Sequence, residues 1–152
     1  MVDPAGGMFM LYEVKEMTMD DYDAVYSFWK TFDGLSIDES DERENMERYL
    51  RRNPHLSYVV YANEEVAATI KCGQDGRRGY IYHLAVKQEH RGAGLAKKLI
   101  DLCVEEFKTR QIYKCNLYVM DFNTGALSFW KHNGWNELDM NFKMLQKDLR
   151  NH

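Results

Sequence analysis

Long apolar runs and a signal peptide are both missing from this sequence. No stretch approaches the roughly 18 consecutive apolar residues that a membrane-spanning helix needs. The first residues also lack the basic start and apolar centre of a secretory signal. We therefore expect a soluble protein in the cytoplasm, with no membrane partner.

Cysteine and net positive charge are also scarce. The three cysteines, Cys72, Cys103 and Cys115, are an odd number and form no CxxC pair, which predicts reduced, mostly buried thiols. The formal net charge is -4 and the sequence pI is about 5.7, so the chain as a whole does not attract a nucleic-acid backbone. We expect no nucleic-acid partner.

The sequence does contain enough apolar material for one core. Of its 152 residues, 45% are hydrophobic and 13% are aromatic, and this size is common for a single domain. Pro4, Gly6 and Gly7 precede the first strand-forming run, so we expect residues 1–7 to be a disordered leader or a cloning remnant. Residues 8–152 would then form a single domain.

The spacing of apolar residues predicts a sheet with helices packed against it. Strands are expected where strand-forming residues cluster between turns, and helices where apolar residues recur every three or four positions. The predicted strands cover residues 8–14, 57–62, 66–73, 80–86, 114–120 and 141–149, and the predicted helices cover residues 20–32, 38–52, 92–109 and 123–132. This order indicates a mixed sheet flanked by helices, of the α/β or α+β class.

The most informative stretch joins a strand to a helix through Arg91, Gly92, Ala93, Gly94, Leu95 and Ala96. Glycine lets the backbone approach a phosphate closely. The free N–H groups of a first helical turn point at such an anion, and the helix dipole favours its charge. Arg91 can add a charge-assisted contact. The stretch is therefore typical of an anion site, although a plain tight turn before a well-packed helix has similar glycines.

Spacing separates this stretch from two other phosphate-binding motifs. A dinucleotide fingerprint needs GxGxxG, but here Gly92 and Gly94 are followed by Lys97. The GxxxxGK pattern of a P-loop, followed by Ser or Thr, is absent.

Residues 91–96 instead resemble the R/Q-x-x-G-x-G/A signature of GNAT acetyltransferases, which also follows a strand and opens a helix. Downstream, Asn123, Ala126 and the pair Gly134-Trp135 resemble the N-x-x-A…G-F/W pattern of that family. The resemblance covers nearly the whole chain. Residues 75–86 are also similar to a bacterial subgroup of the family without an assigned substrate.

This resemblance implies the GNAT fold, with acetyl-CoA as co-substrate and no metal. The family's sheet is mixed and mostly antiparallel, with about six or seven strands, about four flanking helices and two central strands that splay apart. By position, the backbone of Leu84, Ala85 and Val86 would pair with the pantetheine arm, and the amides of residues 91–96 would hold the pyrophosphate. On the other side, Asn123 would hydrogen-bond the arm, and Ala126 and Trp130 would complete the cofactor site.

The implied reaction is direct attack of a primary amine on the thioester within a ternary complex. A free alkylammonium has a pKa of about 10.4 and is protonated at neutral pH, so a base has to remove a proton. The departing thiolate then needs a proton or stabilisation. Many family members place a tyrosine for this last step where the sequence has Trp130, and an indole is not a useful acid. Tyr118, Tyr82 or water would have to replace it.

Two residues compete for the role of general base. Some relatives carry a glutamate base on the fifth strand where this sequence has Tyr118, so that base does not carry over. His83 lies on the strand beside the thioester, and histidine titrates near neutral pH. A histidine in a strand is also commonly structural, however, and strict alternation points His83 away from Leu84. Asp121, at the end of the next strand, is the other candidate, or else a solvated turn residue.

Acidic residues cluster where the second predicted helix begins, at Asp38, Glu39, Asp41, Glu42 and Glu44. This region covers the acceptor entrance in the family, so a cationic small-molecule or peptide amine is the expected acceptor, although such acids also complement a helix dipole. Two alternatives stay open: an acetyl-CoA-binding module with little or no turnover, and an acyltransferase for another acyl chain or acceptor. Homodimers are common in the family, so a homodimer is open as well.

Overall fold

The structure is a computed structural model and describes residues 11–150. The predicted leader, residues 1–7, and the first part of the strand predicted at residues 8–14 lie outside the described residues. The chain separates into two compact units, the first ending at Leu117 and the second beginning at Tyr118. A single domain over residues 8–152 stays a prediction.

Within residues 11–150, five strands and four α-helices form. The strands are β1 (Tyr12–Glu16), β2 (Tyr58–Ala62), β3 (Glu65–Gln74), β4 (Gly79–Val86) and β5 (Cys115–Asn116), and the helices are α1 (Tyr22–Thr31), α2 (Arg43–Arg52), α3 (Leu95–Thr109) and α4 (Thr124–His132). The strands lie in the order β1-β2-β3-β4-β5. The first three pairings are antiparallel and the β4–β5 pairing is parallel. The predicted mixed, mostly antiparallel sheet is therefore confirmed.

Side-chain caps determine where the first two helical segments begin. The Thr18 side chain accepts a hydrogen bond from the Asp20 N–H, and the Thr18 N–H donates to Asp21 at 2.9 Å. Asp38 and Asp41 form the same reciprocal box before α2, through a short 3₁₀ helix at Glu39–Asp41. Such boxes satisfy backbone N–H groups that have no partner inside the helix.

Side chains of β3 contact helices on both faces of the sheet. The Trp29 indole of α1 donates to Thr69 at 2.8 Å, which places Thr69 on the α1 side of the sheet. Cys72, three residues on, is fully buried beside Cys103 of α3. Since successive side chains of a strand point to opposite faces, α1 and α3 cover opposite faces of the sheet. The predicted buried state of Cys72 and Cys103 is confirmed.

Two predicted strands differ from the structure. The strand expected at residues 114–120 forms ladder pairs only at Cys115 and Asn116. The strand expected at residues 141–149 does not form, since this segment pairs with no described strand and its apolar side chains, such as Phe142 and Leu145, are exposed. An apolar pattern specifies a strand only where a neighbour supplies hydrogen bonds and a surface to cover it. The described sheet therefore has five strands rather than six or seven.

The second unit consists of α4 and the segments around it. Asn123 caps this helix by accepting a hydrogen bond from the Ala126 N–H at 3.1 Å. After the helix, Gly134 adopts a φ of 90°, and the Trp135 N–H donates back to the Trp130 carbonyl at 3.0 Å. The Trp130 and Trp135 rings meet edge to face with centroids 5.0 Å apart. No helix in residues 11–150 is long and apolar enough to cross a membrane.

Candidate functional site

The glycine-rich stretch forms an exposed loop at the start of α3. Gly92 and Gly94 adopt φ angles of 86° and 78°, which L-residues other than glycine rarely adopt. For this reason the helix begins at Leu95 rather than at residue 92 as predicted. Gly94 provides no side-chain cap, and the first turn of the helix carries no acidic residue. The first backbone N–H groups of α3 are thus left for an anion.

The chain before the glycines is anchored, whereas the glycines face open space. His90 is buried, and its Nδ1 atom lies 3.1 Å from the hydroxyl of Tyr12 on β1. Arg91 donates from Nε to the Val86 carbonyl at 3.3 Å and keeps an exposed side chain. A Cβ atom added at Gly92 or Gly94 would meet no atom within 4 Å. These glycines are therefore needed for their backbone conformation and for access to the loop, not to fit a neighbouring side chain.

One edge of β4 is open beside this loop. The parallel pairing with β5 covers only Gly79 and Tyr80, so the stretch from Ile81 to Val86 has no β5 partner within the described residues. On its other edge, Ala85 pairs with Thr69 of β3 and the pairing continues to Val86. The ladder between β4 and β5 therefore ends at Tyr80 and Asn116. Further along β4, the backbone of residues 84–86 leads toward the anion loop.

A bulge in β4 lies at His83. Tyr82 pairs with Lys71 and Ala85 pairs with Thr69, so three steps along β4 match two steps along β3. The extra residue is accommodated at His83, whose φ is 45°. The Thr69 hydroxyl donates to the His83 carbonyl at 3.0 Å. Tyr82 and His83 therefore both face the α1 side, so alternation fails between these two residues, whereas Leu84 faces the other side of the sheet as alternation from His83 predicts.

His83 lies against a buried ion pair. Its Nε2 atom is 2.9 Å from both carboxylate oxygens of Asp41, and Lys71 Nζ donates to Asp41 Oδ1 at 2.8 Å. Burial alone would raise the pKa of Asp41. The hydrogen bonds from His83 and Lys71 and the charge of Lys71 outweigh this effect and lower that pKa to about 2. Asp41 is therefore ionised at neutral pH.

Sequence reasoning missed this role of Asp41, which it grouped with exposed acids of the helix start. The signal was Lys71. A lysine inside an apolar strand is almost never fully buried without a partner, and Lys71 is 3% exposed. A buried acid was therefore required, although the sequence does not tell which of the acids near α2 it is.

The other predicted catalytic residues lie apart in the chain and differ in exposure. Tyr82 is 38% exposed, and its ring stacks on Tyr80 with centroids 6.2 Å apart. Tyr118 and Asp121 are exposed residues of the second unit. Of the four candidates, Tyr82 and His83 are the two that lie in the first unit, side by side on the same face of β4. No group of three or more potential metal ligands occurs in the described part of the chain.

The predicted cofactor residues of the second unit have structural contacts of their own. Asn123 and Ala126 meet through the α4 cap described above. Trp130 packs against Phe129, with ring centroids 5.3 Å apart, and against Trp135. The Trp130 indole therefore contacts two aromatic rings edge to face.

Comparison with known proteins points to one family. The sequence profile described as the acetyltransferase (GNAT) family matches residues 14–135. An acetyltransferase from Sodalis glossinidius is 32% identical over 119 residues, which cover 78% of this chain and 83% of that protein. The expected resemblance to bacterial acetyltransferases is confirmed.

Solved structures share the fold at lower identity. The PaiA N-acetyltransferase from Thermoplasma acidophilum in complex with coenzyme A is 19% identical, with a TM-score of 0.72 over 87% of this chain and 94% of that one. The NatC complex bound to Gag peptide and CoA is 24% identical, with a TM-score of 0.69 over 87% of both chains. The predicted fold is confirmed, with the difference in strand number given above.

Proposed function

Because the chain belongs to the acetyltransferase (GNAT) family, we propose that it transfers the acetyl group of acetyl-CoA to a primary amine by direct attack in a ternary complex. The observation that carries this proposal is the loop of residues 91–96, where two left-handed glycines and an uncapped helix start offer backbone N–H groups to an anion. The open edge of β4 beside the loop supports a site for the rest of the cofactor.

The loop would bind the pyrophosphate and β4 the pantetheine arm. Backbone N–H groups and a helix dipole suit a phosphate at the start of α3, and Arg91 adds a positive charge beside them. Residues 84–86 would hydrogen-bond the amides of the arm, as an added strand does at a sheet edge. By the family resemblance, Asn123, Ala126 and Trp130 are the further residues proposed to bind the cofactor. PaiA, which shares the fold, was solved with coenzyme A.

The chemistry requires the acceptor ammonium to lose one proton before attack and the attacking nitrogen to lose a second as the amide forms, while one proton reaches the leaving thiolate. The amine nitrogen forms a bond to the acetyl carbon, the C–S bond breaks, and coenzyme A departs as a thiolate. In this proposal His83 takes the proton from the amine, and the N–H of Leu84 polarises the thioester carbonyl. Tyr82, Tyr118 or water would protonate the thiolate. Asp121 is the other candidate for the base.

The acceptor in this proposal is a cationic amine, either a small molecule or a peptide. Glu42 and Glu44 are exposed at the start of α2, and they would attract a positively charged substrate before it loses its proton. A structure with the same fold, the NatC complex, was solved with a peptide and CoA bound. That complex is an argument for testing peptide amines beside small ones.

A second candidate function is a module that binds acetyl-CoA with little or no turnover. Trp130 favours it, because an indole stands where many family members place a tyrosine for the leaving thiolate. An acyltransferase for another acyl chain or acceptor is the remaining alternative.

The first experiment measures release of coenzyme A from acetyl-CoA with a thiol reagent, across small cationic amines, neutral amines and peptide amino termini. Calorimetry follows acetyl-CoA binding in parallel. Turnover with any amine supports the transferase and identifies its acceptor class. Tight binding of acetyl-CoA would favour the binding module if neither acetyl-CoA nor longer acyl-CoAs release coenzyme A with any amine of the panel.

The second experiment tests the cofactor loop with Gly92→Glu. No atom lies within 4 Å of the Cβ position, so the variant should fold, but its carboxylate would lie where the pyrophosphate binds. The matched control is Gly76→Glu, because Gly76 has a φ of 87° and equally open surroundings. Both variants carry the same backbone strain and charge. Equal acetyl-CoA affinity in the two would rule out the loop as the binding site.

A further inference from the structure

A buried carboxylate joins two nitrogen donors on the α1 side of the sheet. Asp41 is 1% exposed, and its carboxylate faces the side chains of Lys71 and His83 in addition to the Asp38 N–H of the capping box. The side chain of Lys71 is 4% exposed and that of His83 is 14% exposed. Solvent therefore reaches this group mainly at the imidazole.

The geometry determines which imidazole nitrogen carries hydrogen. Both oxygens of an ionised carboxylate only accept hydrogen bonds, and both Asp41 oxygens lie 2.9 Å from His83 Nε2. Nε2 must therefore be the donor. In a neutral imidazole the other nitrogen then carries the lone pair. Nδ1 has no hydrogen-bond partner among residues 11–150, which leaves it available to accept a proton.

Lys71 gives the carboxylate a permanent counter-charge. Its ammonium lies 2.8 Å from Asp41 Oδ1 and 4.7 Å from the centre of the Tyr49 ring. The ammonium and the carboxylate thus form a buried pair with no net charge beside His83. Titratable groups beside the pair include Tyr49, Tyr82, which pairs with Lys71 across the sheet, and Tyr22, whose hydroxyl donates to the Asp41 carbonyl at 2.7 Å.

The ring of His83 is held at both ends. Its backbone is fixed in the bulge by the hydrogen bond from Thr69, which in turn accepts the Trp29 indole N–H. The Trp29 ring meets the imidazole edge to face with centroids 4.7 Å apart. An imidazole fixed in this way keeps one orientation, and fixed orientation is what a proton acceptor needs to act on a bound amine.

We propose that Asp41 is a positioning residue that holds His83 as the Nε2–H tautomer with Nδ1 facing the acceptor amine, and that Lys71 is the buried counter-ion of this carboxylate. This inference rests on the proposed function, because it assigns His83 as the base of that reaction. When Nδ1 takes the amine proton, the imidazolium that forms is stabilised by the Asp41 carboxylate beside Nε2.

The kinetic test compares Asp41→Asn, Lys71→Met and the double variant carrying both changes. Asp41→Asn should lower kcat by about 10²-fold or more, in the range of a lost general base, with acetyl-CoA affinity unchanged. Because this variant leaves the buried Lys71 ammonium without its carboxylate partner, its thermal unfolding is measured as well. The exposed residue Asp23, paired with Arg43 at the surface, gives the control Asp23→Asn, which should leave kcat unchanged.

The double variant separates positioning from structure. It removes both buried charges, so its stability should return toward that of the wild type, while kcat should stay low because His83 still lacks its carboxylate. Recovery of kcat together with stability would overturn the proposal, since Asp41 would then serve only to neutralise Lys71.

The tautomer of His83 is measured independently of activity. ¹⁵N NMR of histidine-labelled protein, assigned with His83→Gln and recorded at a pH where the His83 ring is neutral, should give the pattern of the Nε2–H tautomer. An Nδ1–H tautomer in the wild type would overturn the proposal even with an active enzyme. If no amine is turned over, the proposed function fails while the NMR result still decides whether Asp41 fixes the tautomer.

Discussion

Replacement of Thr69 by valine should loosen the bulge that holds His83. Thr69 is fully buried, accepts the Trp29 indole N–H at 2.8 Å and donates to the His83 carbonyl at 3.0 Å. Valine keeps the shape but has no hydroxyl, so it leaves no cavity and the cost comes from hydrogen bonding alone. The orphaned indole costs about 1–3 kcal/mol and the lost bond to His83 about 1 kcal/mol. We expect a loss of about 3 kcal/mol in the free energy of unfolding.

Urea denaturation, followed by tryptophan fluorescence and circular dichroism, measures this loss. For a chain of this size it corresponds to a fall in Tm of roughly 6–12 °C. Thr31→Val is the matched control, because the Thr31 hydroxyl bonds only to helix carbonyls at the surface, and it should cost less than about 0.5 kcal/mol. If the two variants lose the same stability, the Trp29–Thr69–His83 chain does not hold the bulge.

Three further results are expected. Gly79→Ala should lose about 1–3 kcal/mol of stability in urea denaturation, because its Cβ would lie 2.8 Å from the Phe107 ring; full stability would mean that α3 shifts freely on β4. The pKa of Asp41 falls from 3.8 to about 2 on folding, so its charge stabilises the fold above pH 3.8 and this contribution disappears as the pH falls toward 2. The stability difference between the wild type and Asp41→Asn, of which about 2 kcal/mol comes from this shift, should therefore shrink as the pH falls below 4. A difference independent of pH would contradict the assignment. Cys72 and Cys103 are fully buried, and burial raises the pKa of Cys72, so a thiol reagent should label them only after unfolding; rapid labelling of either in the native protein would contradict the described packing.

Much of the fold could be predicted because local signals and burial agree. The helix at residues 20–32, the three strands of the meander and the helix up to Thr109 all appear close to their predicted bounds. The glycine spacing at residues 91–96 indicated the family, which the comparisons confirm. Gly92 and Gly94 moved the start of α3 to Leu95 because their φ angles do not fit a helix.

The remaining features depend on partners that a sequence pattern does not specify. The alternating apolar residues at 141–149 predicted a strand, but no described strand pairs with them. The bulge at His83 changes the face of the sheet to which a side chain points. An alternating sequence pattern does not predict where such a bulge occurs. Asp41 was read as one of several exposed acids because its partner Lys71 lies 30 residues away in sequence. The roles of the site residues, the acceptor, the cytoplasmic location and the homodimer stay predictions.

The sheet order has a consequence for how the molecule folds. Strands follow one another in space as they do in sequence, and a two-residue turn at Asn63 and Glu64 joins β2 to β3. Pairings between sequence neighbours cost little loop entropy and form fast. During synthesis the meander β2–β4 can therefore assemble as it leaves the ribosome, whereas β5 has to wait for the whole of α3. We expect the open edge of β4 to be the last part of the sheet to acquire its final surroundings.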